Sequence, residues 1–165
     1  MHILTTVGSG DFDDLVRAMD RLAPQLSAVG DTLLLQIGEG RYVPQQAAWF
    51  RLAPSLEPHI AQADLVVAHG GLGVTVEVLR QGKRLVSVSN PDRYDAHQGD
   101  LLNVLSQRGH LIWCQDLTHL AAAIDQARVT TFVPYHEELG TLAETIIAYL
   151  APGWGARSGK DNVRG

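Results

Sequence analysis

Two glycine-rich stretches, and a few polar side chains that follow them, are the residues here whose types and spacing could do chemistry. The first is Val7-Gly8-Ser9-Gly10-Asp11, after the apolar run Ile3–Val7. The second is His69-Gly70-Gly71-Leu72-Gly73-Val74-Thr75, after Asp64-Leu65-Val66-Val67-Ala68. Each leads into a helical pattern. A helix N-terminus presents free N–H groups and a partial positive charge, which suits a phosphate, and glycine lets a ligand come close to the backbone. Neither stretch is a dinucleotide fingerprint. Asp13 stands where a third glycine would follow Gly8-x-Gly10, and Val76 where one would follow Gly71-x-Gly73. There is no Gly-Lys-Ser or Gly-Lys-Thr P-loop either. Tight strand-to-helix turns would use the same residues, and on the residues alone both readings stand.

Glu77 follows Gly73 by four positions, on what the pattern places as the first turn of a helix. A carboxylate there can accept both hydroxyls of a ribose while the N–H groups above hold a diphosphate. It can equally be a helix-dipole carboxylate, worth about 0.3–1 kcal/mol. Asp95-Ala96-His97-Gln98 offers an exposed His-Gln pair at a helix start, with donors and acceptors suited to sugar hydroxyls. A capped helix with a solvated histidine is the competing explanation. His69 directly precedes the glycines, placed either to bond the loop or to pack against it.

The elements that would position these groups alternate along the chain. Strands are expected over Ile3–Val7, Thr32–Ile37, Ala48–Leu52, Asp64–Ala68, Arg84–Val88 and Leu111–Trp113. Helices fall between them. The first carries Phe12, Leu15, Val16, Met19 and Leu22, with Ser9 or Asp11 as its cap and Pro24 ending or kinking it. Others are expected over Ser55–Ala63, Thr75–Gln81 (stopped by Gly82), from Asp95 to Gly109, over Leu117–Ala127 and over Glu137–Leu150. Such alternation predicts an α/β fold, a Rossmann-like parallel sheet with helices on both faces. One domain is expected over residues 1–152, with a flexible, glycine-rich tail over 153–165.

Composition narrows the class. The chain has 165 residues, 45% apolar and 19% charged, with a formal net charge of -5. That is globular composition, and the acidic balance without a Lys/Arg cluster argues against nucleic acid as a main partner. Cys114 is the single cysteine, so no disulfide forms within the chain and a cytoplasmic address is the default. The opening residues do not read as a signal peptide. No apolar run nears the roughly 18 residues of a membrane span. No compact His/Asp/Glu set has metal-ligand spacing, so no metal is expected.

The stretch from Asp64 to Lys83 resembles the donor-site signature of MurG-like glycosyltransferases: an apolar strand, a small-residue turn, a hydroxyl residue, then Glu and Gly-Lys. It is more similar to a split branch. That branch comprises the catalytic subunit of the eukaryotic UDP-GlcNAc transferase that makes dolichol-linked chitobiose, and the small subunit of bacterial exopolysaccharide glycosyltransferases. Thr5-Thr6-Val7-Gly8 through Leu15, Gln36-Ile37-Gly38 with Tyr42-Val43-Pro44, and His97-Gln98 with Gly109-His110-Leu111 resemble further segments of that branch, in the same order over most of residues 3–150. The sequence departs at Arg84, where the family often has Pro, and at Gly71, where Ala is usual.

The resemblance implies the C-terminal half of a GT-B enzyme. It implies inverting, metal-independent transfer from a UDP-sugar, with no cofactor beyond that donor, to an acceptor linked to a polyprenyl or other lipid diphosphate. Gly70, Gly71, Gly73 and Val74 would cradle the diphosphate, with Thr75 offering a hydroxyl. Glu77 would take the ribose, and Gln98 with His97 the sugar. Gly8, Ser9 and Gly10 would face the interdomain cleft. The general base is expected on a membrane-anchored, acceptor-binding partner subunit, with His69 or His97 as second choices. The chain would then be cytoplasmic and peripheral to the membrane through that partner, in exopolysaccharide or lipid-linked glycan synthesis. The Glu137–Leu150 helix could dock on the partner or pack on its own sheet. GlcNAc, glucose and glucuronic acid all fit as donor sugars; Arg93 could pair with a uronate, although an ordinary surface arginine is the commoner explanation. The alternative is a nucleotide-sugar-binding regulatory protein without chemistry. The broken fingerprints count against a flavin or NAD module.

Overall fold

The computed structural model describes residues 1–90 and 96–136, with the side chains of 96–98 outside the description. Six parallel strands make one sheet: β1 (His2–Thr6), β2 (Thr32–Gln36), β3 (Ala48–Phe50), β4 (Leu65–His69), β5 (Arg84–Val88) and β6 (Ile112–Cys114), in the order β3-β2-β1-β4-β5-β6. This is the doubly wound Rossmann order, as the strand–helix alternation predicts. The central strands are buried on both faces, which is why β4 reads as an unbroken apolar run.

The two-residue period of a strand sorts the core into two layers. Ile3, Leu35, Val67 and Val86 pack under helices α1 (Asp13–Ala28) and α5 (Leu120–Val129). Leu4, Val66 and Leu85 pack under α2 (Glu57–Gln62), α3 (Leu72–Arg80) and α4 (Ala96–Gln107). Residues Met1–Tyr135 form one compact unit, and the chain from His136 belongs to a second. The expected Glu137–Leu150 helix and the 153–165 tail lie outside the described residues. Among the described residues no helix is long and apolar enough to cross a membrane.

Several boundaries differ from expectation. Helix α1 runs through Pro24 to Ala28. Pro24 is exposed, while Ala23 and Leu26 on either side of it are buried, so packing carries the helix past the missing N–H. Gly30, at φ +83, then closes its end, with the Gly30 N–H donating to Ser27 O and the Asp31 N–H to Leu26 O. Neither Ser9 nor Asp11 caps α1. Phe12 takes that position, anchored in the core at 5% exposure. Helix α3 begins at Leu72 rather than Thr75. A glycine costs only about 1 kcal/mol in a helix, and the earlier start lets Thr75, Val78 and Leu79 bury. Before α5, Leu117–His119 form a 3-10 turn capped by Asp116, whose carboxylate accepts the Thr118 N–H at 2.8 Å.

Candidate functional site

Strand order reverses between β1 and β4, and in sheets of this kind ligands bind outside the carboxyl ends of the strands at that point. The two glycine turns are the loops that leave β1 and β4 there. The structure therefore brings together stretches that are about sixty residues apart in sequence.

His69, at the end of β4, joins them physically. A Cβ added at Gly8 would stand 2.7 Å from His69 Cε1, and one at Gly71 would collide with Nε2. Both glycines leave room for this ring, and Gly8 additionally adopts φ +70. An alanine at position 71, usual in the family resembled, would require the imidazole to move. Gly70 is buried beneath Leu102, whose Cδ1 would lie 2.6 Å from an added Cβ, so packing against α4 explains its size. Gly73 is different. It is exposed and an added Cβ would meet nothing within 4 Å, so no neighbour in the chain requires a glycine there.

Among the described residues the start of α3 has no side-chain cap. Gly71 is its extended N-cap residue, without a side chain to bond the first turn, and the Thr75 N–H to Gly71 O bond of 3.0 Å closes the first turn. The N–H groups of Leu72, Gly73 and Val74 therefore lead the helix with its positive dipole end. Val74 is half-buried and Thr75 fully buried, with its Oγ1 in no hydrogen bond. Glu77 is half-buried and sits in the second turn of α3, not the first, because the helix starts three residues early. It lies about 7.5 Å along the axis from Leu72. Ser9 is exposed at the tip of the other turn, between half-buried Gly8 and Gly10. His97 and Gln98 occupy the first turn of α4; their side chains, like Arg93 and Asp95, are outside the described residues.

Beside these turns, residues 38–47 are fastened to α1 by two carboxylates. Asp13 Oδ2 accepts the N–H groups of Arg41 (3.2 Å) and Tyr42 (3.1 Å). Asp20, 2% exposed, accepts those of Gln45, Gln46 and Ala47 and the Tyr42 hydroxyl at 2.7–3.1 Å. Burial alone would raise the Asp20 pKa, but the hydrogen bonds from Gln45, Tyr42, Gln46 and Ala47 more than offset it and hold the carboxyl below its ordinary value. Sequence reasoning passed over both residues. The available signal was their spacing of seven, which puts them on one face of a helix.

Comparison with known proteins agrees with this fold. Residues 2–138 match the model of the glycosyltransferase family 28 C-terminal domain. The chain is 38% identical over 122 residues to the human UDP-N-acetylglucosamine transferase subunit ALG13, covering 68% of this chain but only 11% of that protein. Among solved structures it resembles the solution structure of ALG13, with a TM-score of 0.63 at 18% identity over 88% of this chain and 93% of that one. It also resembles MurG of Acinetobacter baumannii, with a TM-score of 0.56 at 20% identity over 78% and 42% of the two chains.

Proposed function

Since the chain belongs to the glycosyltransferase family 28 C-terminal domain family, we propose that it is the donor-binding subunit of an inverting, metal-independent glycosyltransferase that uses a UDP-sugar. The observation that carries this reading is the uncapped start of α3, facing the Gly8–Gly10 turn at the strand-order switch, with Glu77 one and a half turns below. The diphosphate would lie against the Leu72, Gly73 and Val74 N–H groups, and the ribose hydroxyls would reach Glu77. UDP-GlcNAc is the donor favoured, because the human relative is named as a UDP-N-acetylglucosamine transferase subunit.

In the transfer, a base removes the proton of the acceptor hydroxyl as its oxygen attacks the anomeric carbon. The bond to the UDP oxygen breaks on the opposite side, and the configuration inverts. The charge that develops on the departing diphosphate falls on helix N–H groups already oriented toward it, which is electrostatic stabilisation without reorganisation. The base belongs to a partner subunit that carries the acceptor site, in keeping with the relative's description as a subunit. A lipid-diphosphate acceptor and a membrane-anchored partner complete the proposal.

Calorimetric titration of the folded chain with UDP, UDP-GlcNAc, UDP-glucose, UDP-glucuronate and NAD tests the reading. UDP compounds should bind and NAD should not. Glu77→Ala should weaken UDP about 100-fold, which is about 2.7 kcal/mol, and leave the fold intact. Wild-type affinity in that variant would remove Glu77 from the site.

A further inference from the structure

Gln36 ends β2 and is 1% exposed, yet the donor-binding reading gives this buried polar residue no task. Its amide is fully engaged. Oε1 accepts from Thr6 Oγ1 at 2.6 Å, from the Gly8 N–H at 3.1 Å and from the Val7 N–H at 3.2 Å. Nε2 donates to Gly8 O at 2.8 Å and to Arg51 O at 2.6 Å. One side chain thus ties the loop leaving β1 to the loop leaving β3. The two carbonyls demand a donor and the hydroxyl and N–H groups an acceptor, so only an amide serves all five.

Peptide planarity carries the effect outward. Gly8 O is drawn to Gln36, so the trans peptide aims the Ser9 N–H the opposite way. Gly10 O accepts the Glu39 N–H at 2.9 Å, which fixes the peptide that follows it in the same manner. Gly38, at φ +53, lies so close to the carbonyl oxygens of Gly8 and Gly10 that no side chain fits. The Gly8 and Gly10 carbonyls are consequently spent on the β2 side, and the Ser9 and Asp11 N–H groups point away from them. That polarity attracts a diphosphate, whereas a flipped turn would repel one. Gly8 also bounds the seat of His69, so the same amide fixes the spacing between the two glycine turns.

We propose that Gln36 is the positioning residue of this crevice: it sets the peptide orientation of the Gly8–Gly10 turn and the seat of His69, and so governs how tightly the diphosphate is held without touching it. The proposal rests on the donor-binding reading above. Gln36→Glu tests it, because a carboxylate keeps the acceptor but turns lone pairs on Gly8 O and Arg51 O; burial beside those two oxygens raises the pKa of the new carboxyl, and protonation restores a donor. The ratio of variant to wild-type Kd for UDP should be about tenfold or more at pH 8 and fall toward one near pH 5.5. Asp31→Asn, a control outside the crevice that weakens the ion pairs of Asp31 with Arg128 and the N-terminal amine, should keep that ratio at one throughout. If Gln36→Glu melts lower but also keeps a ratio of one at both pH values, Gln36 is merely structural and the proposal fails.

A ligand-free measurement separates this from failure of the donor reading. The Ser9 and Gly10 amide resonances should differ from wild type at pH 8 and return toward it at pH 5.5. Unmoved resonances overturn the proposal, while a wild-type chain that binds no UDP overturns the donor reading instead. If Gln36→Glu does not fold, Thr6→Val removes one anchor of the amide. It should raise the Kd about threefold and shift the same resonances, and unchanged values would refute the positioning role.

Discussion

One group of backbone N–H donors follows Gly38 and another heads α3, and the chain treats them in opposite ways. Those of Arg41, Tyr42, Gln45, Gln46 and Ala47 are all given to carboxylates of the chain itself, Asp13 and Asp20. Those at the head of α3 receive no side-chain cap, because the N-cap position is a glycine. An N-cap Asp, Ser or Asn in place of Gly would add only a few tenths of a kcal/mol. Leaving α3 open therefore costs stability very little, and it keeps a cationic helix end available to an external anion. Carboxylates that close a loop build the fold, and a carboxylate withheld from a helix end leaves that end to the proposed ligand.

That contrast can be broken from either side. The largest effect is expected from Asp20→Ala. Four donors lose their acceptor, and at about 1–3 kcal/mol for a buried unsatisfied group, with partial relief by water, the loss should be about 3 kcal/mol. The melting temperature should fall by about 6–12 °C, with UDP affinity of the folded protein unchanged. A stable variant with weakened UDP binding would reverse the roles assigned to the two regions. Next is Gly73→Asp, which supplies α3 with a carboxylate of its own in open space. Stability should hold or rise by about 0.3–1 kcal/mol, while UDP affinity measured by calorimetry falls about tenfold. Undiminished affinity would mean that no anion uses that helix end.

The smallest effect concerns pH. Asp20 has a lowered native pKa, so its contribution is present above the unfolded value, about 3.9, and is lost as pH falls through the native one. Hydrogen-exchange protection of the Gln45, Gln46 and Ala47 amides should decline over that window, while Val78 and Leu79 in α3 keep theirs. Equal decline in both places would show global acid unfolding rather than release of one loop.

The fold was largely legible in the sequence, because parallel strands buried on both faces announce themselves as apolar runs and the helices between them carry their own period. What escaped was decided by packing. Gly71 to Gly73 read as a break, yet α3 starts at Leu72 because Thr75, Val78 and Leu79 find the core. Pro24 reads as a stop or a kink, yet the helix runs on and Leu26 holds the last turn. At the site, the glycines and Glu77 were visible as types and spacings. The seat of His69 between Gly8 and Gly71 was not, since it depends on β1 and β4 being neighbours. Gln36 stood in a motif, but its work follows from the register that sets it opposite Thr6, which no local pattern encodes. Asp13 and Asp20 resemble ordinary solvated helix acids until the 38–47 loop folds onto them.

The pairing of β1 with β4 has a consequence for the chain as it is made. β1 meets β2 after about thirty residues, but it meets β4 only after about sixty. The extra loop closure is thermodynamically slight, about 0.6 kcal/mol per doubling of length, yet a ribosome must deliver β4 before it can occur. A nascent chain that has emerged only as far as β3 carries the residues of the Gly8 turn and Gln36, but not yet the second wall to face them. It is the later arrival of His69 and α3 that would complete the crevice proposed for the nucleotide.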